Sequence, residues 1–236
     1  MPRAGNTLLG SIINQNLKFN LTANSITVGI IYNIYQLKSI KTFKNFPDEK
    51  SLNNVIKNIF NNYYENWNAD IILDRAPWGT PVNLFLLKSI VEKPKFIILY
   101  RPVMECLASL IKNEINVDVE KRCHEIMSIN GIIGKNLYSI KNIIKEKENY
   151  IIINYSDLIN KPLDEIIKIY NFLNISMFDH YFENLNQFSV NNIKYDDSIY
   201  YKPLHTIKSK KLELNNYKIE DYLPSSIIKE YSNLDI

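Results

Sequence analysis

The sequence predicts an α/β domain built on a mainly parallel sheet with helices on both faces. Three apolar runs carry that expectation: "IIL" at 71–73, "KFIILY" at 95–100, and "YIIIN" within "NYIIINYSDL". Each is short, almost wholly apolar and followed by a helical pattern, as expected of a strand buried on both faces. Strands that alternate with helices join in parallel through crossover connections. In such sheets a ligand lies beyond the C-terminal ends of the strands. Asp74 and Arg75 stand there after the first run, Arg101 after the second, and Tyr155 with Ser156 after the third.

The elements can be read in order. After the opening "MPRAGNT", Leu8, Leu9, Ile12 and Ile13 recur at helical spacing, which predicts a helix to about Asn16. Residues 17–47 read as irregular, with one apolar, aromatic run, "ITVGIIYNIYQL". Residues 48–67 read as a helix capped by Asp48 or Ser51. The strand at 71–73 ends in a charged pair and a Pro/Gly turn, and a helix over about 81–92 follows. The strand at 95–100 leads into the helix "MECLASLIKN", and a long helical region is expected over about 117–147. The third strand leads into the helix "LDEIIKIYNFLNI". From about 178 the chain is less regular and rich in Tyr, Asn and Lys. No repeat or boundary divides it, so residues 1–236 read as one domain.

Bulk properties exclude some classes. Hydrophobic residues are 46% and charged residues 22%, the composition of a soluble globular chain. A net charge of +3 is too mild for a nucleic-acid binder, although it suits an anionic small ligand. No apolar stretch is long enough for a membrane span, and no signal peptide is legible. Cys106 and Cys123 lack the spacing of a metal or redox motif, so reduced, buried thiols and a cytoplasmic setting are expected. The three histidines and two cysteines show no metal-ligand spacing, so no metal is expected.

The opening loop carries the first chemical signal. Gly5 can adopt backbone angles closed to other residues. The amides of Asn6, Thr7 and Leu8 then begin a helix, where they lack intrahelical acceptors and meet the positive end of the dipole. Such an end accepts phosphate or sulfate, and Arg3 and Thr7 add a positive charge and a hydroxyl. An ordinary first helix beside an unrelated arginine would look the same. The phosphate-binding pattern GxxxxGK[ST] is absent, which counts against an ATP or GTP phosphotransferase. The second signal is Arg101, a charge ending an apolar strand, with Ser109 about two helical turns further on. Together they can hold a phosphate, Arg101 by its two-pronged guanidinium. Alternatively Arg101 makes a structural ion pair.

The order PRxGxT-helix, strand-D-R-x-P-W, strand-R-P-x6-S, then "YSDLINKPLDEIIKIYNFLNI" and "LHTIKSKKLE", resembles sulfotransferases that use 3′-phosphoadenosine 5′-phosphosulfate (PAPS). The likeness is to a bacterial and viral branch itself similar to tyrosylprotein sulfotransferases, and it runs from Pro2 to about Leu212. It implies a P-loop-type three-layer fold with a central parallel sheet. It also implies an activity: transfer of the sulfuryl group of PAPS to a hydroxyl or amine, leaving PAP. The acceptor could be a small molecule, a glycan or a protein tyrosine. A non-catalytic nucleotide-binding relative and a P-loop-type small-molecule kinase are the alternatives.

By resemblance, Arg3, Ala4, Gly5, Asn6 and Thr7 form the loop around the 5′-phosphosulfate, with Ala4 in place of a usual serine and Asn6 in place of Ser or Thr. Arg101 and Ser109 match the pair that holds the 3′-phosphate, and Tyr155 matches a tyrosine near the nucleotide. His205, Lys208 and Lys210 match a segment that folds over the cofactor, unless they belong to a solvated charge run. Asp74 is the candidate base; Arg75 and Arg3 would stabilise the transferring group. Asp74 and Arg75 could instead pair structurally. The position where the tyrosylprotein branch carries its glutamate base falls near Asn24; His124 and His180 are the other titratable candidates. Residues 17–47 and 113–135 are expected to shape the acceptor pocket; Tyr32, Tyr35 and Phe43 could stack on a sugar or phenol there, and core packing explains them equally well. Relatives carry an apolar strand before the opening loop. Here either an upstream stretch is missing from the recorded start, or the sheet lacks its central first strand and the loop is poorly anchored.

Overall fold

The computed structural model describes residues 1–22, 24–186, 190–193, 196–200, 212 and 218–236. His205, Lys208 and Lys210 lie outside the described residues. The chain opens with α1 (Asn6–Ile13), β1 (Phe19–Leu21), α2 (Thr27–Gln36), α3 (Lys41–Asn45), α4 (Glu49–Lys57) and α5 (Ile59–Tyr64). Then come β2 (Ile71–Leu73), α6 (Pro81–Ile90), β3 (Lys95–Tyr100), α7 (Val103–Ile111), α8 (Val119–Met127) and α9 (Gly134–Lys145). β4 (Asn149–Asn154), α10 (Tyr155–Asn160), α11 (Pro162–Leu173) and, near the end, α12 (Ser225–Tyr231) follow.

The strands are parallel, as their apolar runs predict, but among the described residues they form two pairs. β1 lies against β2, with Leu21 opposite Leu73, and β3 lies against β4, with Tyr100 opposite Asn154. Helices flank both pairs and one contiguous apolar core joins them, with Ile12, Ile13, Leu107, Ile153 and Ile166 fully buried. The single sheet expected from local pattern is thus two sheets, because periodicity does not encode lateral strand order.

Three sequence expectations need correction. Residues 17–47 are not irregular: they hold β1, α2 and α3. The helix expected over 48–67 breaks at Asn58 into α4 and α5. The helical region expected over 117–147 is α8 and α9, separated by a turn in which the Gly131 amide donates to the Ser128 carbonyl at 2.8 Å. The cap at Asp48 stands where it was predicted: its carboxylate accepts from the Ser51 amide at 3.0 Å. α7, which carries much of the core, is capped from a distance. Asp235 accepts from the first amide of α7, at Val103, at 2.8 Å and from the Tyr100 hydroxyl at 2.5 Å. Cys106 and Cys123 are free and buried, and burial pushes their thiols up to about 12 and about 11.

The opening loop is anchored without a strand ladder, unlike the poorly held loop that was one of the two alternatives. The Met1 amine donates to the Leu99 carbonyl of β3 at 3.2 Å, and the Asn6 side chain donates to the Met1 carbonyl at 2.5 Å. The loop therefore sits at the end of β3, which brings it beside Arg101.

Candidate functional site

Parallel register decides which residues meet. Because Tyr100 stands opposite Asn154, the next residues, Arg101 and Tyr155, leave β3 and β4 side by side. The Arg101 guanidinium lies over the Tyr155 ring, 4.5 Å from its centroid. Arg101 is buried at 5% exposure, Nε donates to Glu105 at 2.8 Å one helical turn on, and NH1 donates to the Arg3 carbonyl at 3.3 Å. The structural ion pair left open for Arg101 is thus present, while its guanidinium also reaches the opening loop. Arg3 Nε donates to the Ser109 hydroxyl at 3.1 Å, although the two are 106 positions apart. The resemblance assigns these two side chains to opposite phosphates; here they are in direct contact.

Gly5 explains how the loop comes so close. Its φ is +93°, and a Cβ there would lie 2.6 Å from the Tyr155 ring. Only glycine satisfies both demands without strain. Behind it α1 begins with no side-chain cap, so its first amides are donors without intrahelical acceptors. Ala4 is wholly buried and turned into the core.

A cavity of about 1170 Å³ runs from this loop to the end of β2. Arg3, Gly5, Asn6, Thr7, Arg101, Ser109 and Tyr155 line one part of it, and Asp74 and Arg75 also line it. Ala4 does not line it. Tyr32, Tyr35 and Phe43, read as acceptor-stacking or packing residues, do not line it either; Tyr35 packs edge-on against Phe85. From 17–47 and 113–135 the wall receives Leu21, Asn24 and Ile132. His124 and His180 stand elsewhere, against Tyr231 and Tyr170.

The surroundings of Asp74 were not legible. One carboxylate oxygen, Oδ2, accepts from the hydroxyls of Ser25 and Thr27, each at 2.7 Å, and from the Tyr64 hydroxyl. The other, Oδ1, accepts from the Trp78 indole at 3.0 Å. Burial, reinforced by the Asp74 charge, pushes the Tyr64 phenol far above its ordinary value, so it stays a donor. Four donors fix the direction of the Asp74 carboxyl group at the cavity wall, where Phe60, Tyr64 and Trp78 are aromatic lining. Only Trp78, inside the "DRAPW" stretch, was within reach of sequence reading; Ser25, Thr27 and Tyr64 come from α2, its entry turn and α5.

Chemically, the cavity presents uncapped helix amides with two arginines at one end and an oriented carboxylate elsewhere along its wall. That suits a bound anion and a nearby hydroxyl. Among the described residues no helix is long and apolar enough to cross a membrane. A comparison with curated proteins finds none that matches the chain. The family model described as a sulfotransferase domain matches residues 1–229, nearly the whole chain, and the chain belongs to that sulfotransferase family.

Proposed function

We propose that the chain transfers a sulfuryl group from PAPS to an acceptor hydroxyl or amine by in-line displacement, releasing PAP. The observation that carries this reading is the meeting of Arg3, Gly5, Arg101, Ser109 and Tyr155 at one end of the cavity, from segments about a hundred residues apart. The groups fit the donor. Uncapped α1 amides, Thr7 and Arg3 suit the phosphosulfate end, and Arg101 with Ser109 suits a second phosphate. When bound, PAPS supplies a sulfuryl group activated by its link to phosphate.

The chain's own residues do the rest. Arg3 and the α1 amides offset the charge that gathers on the leaving phosphate. Arg75, the next residue in the chain, lines the same cavity and steadies the group in transit. Asp74 orients the acceptor hydroxyl and takes its proton, a role that its fixed direction serves. The missing GK[ST] pattern weighs against a kinase.

One observation favours a second reading, a nucleotide-binding relative without turnover: Asp74 already accepts from four donors. Radiolabelled PAPS with a panel of phenols, sugars and tyrosine peptides separates the two. The unaltered chain is expected to label an acceptor, and Asp74→Asn to slow labelling about 10²-fold or more while PAP affinity holds. Full labelling by Asp74→Asn removes Asp74 from the proton path. Tight PAP binding with no labelled acceptor favours the second reading.

A further inference from the structure

A surface groove beyond the far end of α2, remote from the cavity, carries a second binding feature. Leu37, Ile40, Phe43, Phe46, Leu52 and Val55 line a hollow of about 400 Å³ formed by α3, α4 and the turn before them. Its rim is open: Phe46 is 75% exposed, Val55 51%, Ile40 45% and Leu37 42%. Large apolar side chains gathered on one exposed face mark an interaction surface. Apolar residues and lysines interleave there at a spacing of three, Ile40, Phe43 and Phe46 against Lys38, Lys41 and Lys44.

The local charge identifies the partner. Residues 37–57 hold five lysines against Asp48 and Glu49, a net +3. That equals the net charge of the whole chain, so the remainder is balanced and this segment holds the excess. Lys38 is engaged with Glu49 at 2.7 Å, while Lys41, Lys44 and Lys50 are exposed around the apolar rim. A second copy seated on the same face would set +3 against +3. An anionic lipid surface meets both features: lysines reach headgroups while aromatic and aliphatic side chains enter the interfacial layer.

We infer that this face docks the protein on anionic membranes. The docking does not depend on the reaction assigned to the cavity. The test is co-sedimentation of the full chain with vesicles of phosphatidylcholine alone or mixed with phosphatidylglycerol. Binding is expected only to the mixed vesicles and should weaken with added salt. Two variants lower it at least ~10-fold: Phe46→Ser with Ile40→Ser, which removes the insertion, and Lys41→Glu with Lys44→Glu, which removes the attraction. Both pairs are exposed, and an unchanged circular dichroism melt shows that the fold is kept. Absence of binding to mixed vesicles, equal binding to neutral ones, or variants that bind like the unaltered chain overturns the inference. So does a dimer that dissociates with Phe46→Ser and Ile40→Ser, since it assigns the groove to a second copy.

Discussion

Arg101→Ala is expected to lower PAP affinity about 10²–10⁴-fold in a calorimetric titration. The guanidinium can give a phosphate two charge-assisted hydrogen bonds, worth about 1.5–3 kcal/mol each, and each 1.4 kcal/mol is about a factor of ten. The substitution also strips the Tyr155 ring of its cation and the Arg3 carbonyl of a donor. The fold should lose only about 1–3 kcal/mol, because the partner carboxylate of Glu105 is 39% exposed and can be solvated. Arg101→Lys should recover part of the affinity at most, since an ammonium keeps the charge and loses the fork. If Arg101→Ala binds PAP like the unaltered chain, Arg101 is structural only.

Gly5→Ala is expected to damage both fold and binding. A methyl at this position needs φ near +93° and meets the Tyr155 ring at 2.6 Å and 2.8 Å. The left-handed backbone alone costs an alanine about 1–2 kcal/mol, and moving a buried ring adds to it. A total of about 2–4 kcal/mol lowers the melting temperature by roughly 5–15 °C in a chain of this size. The α1 amides follow Gly5, so PAP affinity should fall at least ~10-fold with them. Tyr155→Ala should cost less stability in the Gly5→Ala background than in the unaltered chain, because the ring contact is already disrupted there. A Gly5→Ala melt equal to that of the unaltered chain would contradict the close approach.

Much of the frame was readable because short, nearly continuous apolar runs leave a plain mark. The runs of β2, β3 and β4 are nearly all apolar, and each ends in a polar or charged residue. β1 was hidden because "FNL" is too short to show a period. The break between α8 and α9 was marked by Gly131 and Gly134 in "SINGIIG", a signal that helical periodicity on both sides outweighed. In the site, Arg101 announced itself as a charge ending an apolar strand, and the Arg3 loop as a turn opening a helix. Their contact through Ser109 is tertiary and left no local trace. The donors on Asp74 were hidden for the same reason, and local pattern could not separate an acceptor platform from packing for the aromatic residues of α2, of which Tyr35 lies against Phe85.

In the function proposed, the Arg3 loop and the Arg101–Ser109 pair form a seat for a nucleotide with phosphates at both ends. Titrating the full chain with PAP and with ATP tests it most directly. PAP should bind at least ~10-fold more tightly than ATP, and Arg101→Ala should erase the difference. Equal affinities, or a preference for ATP, would contradict it.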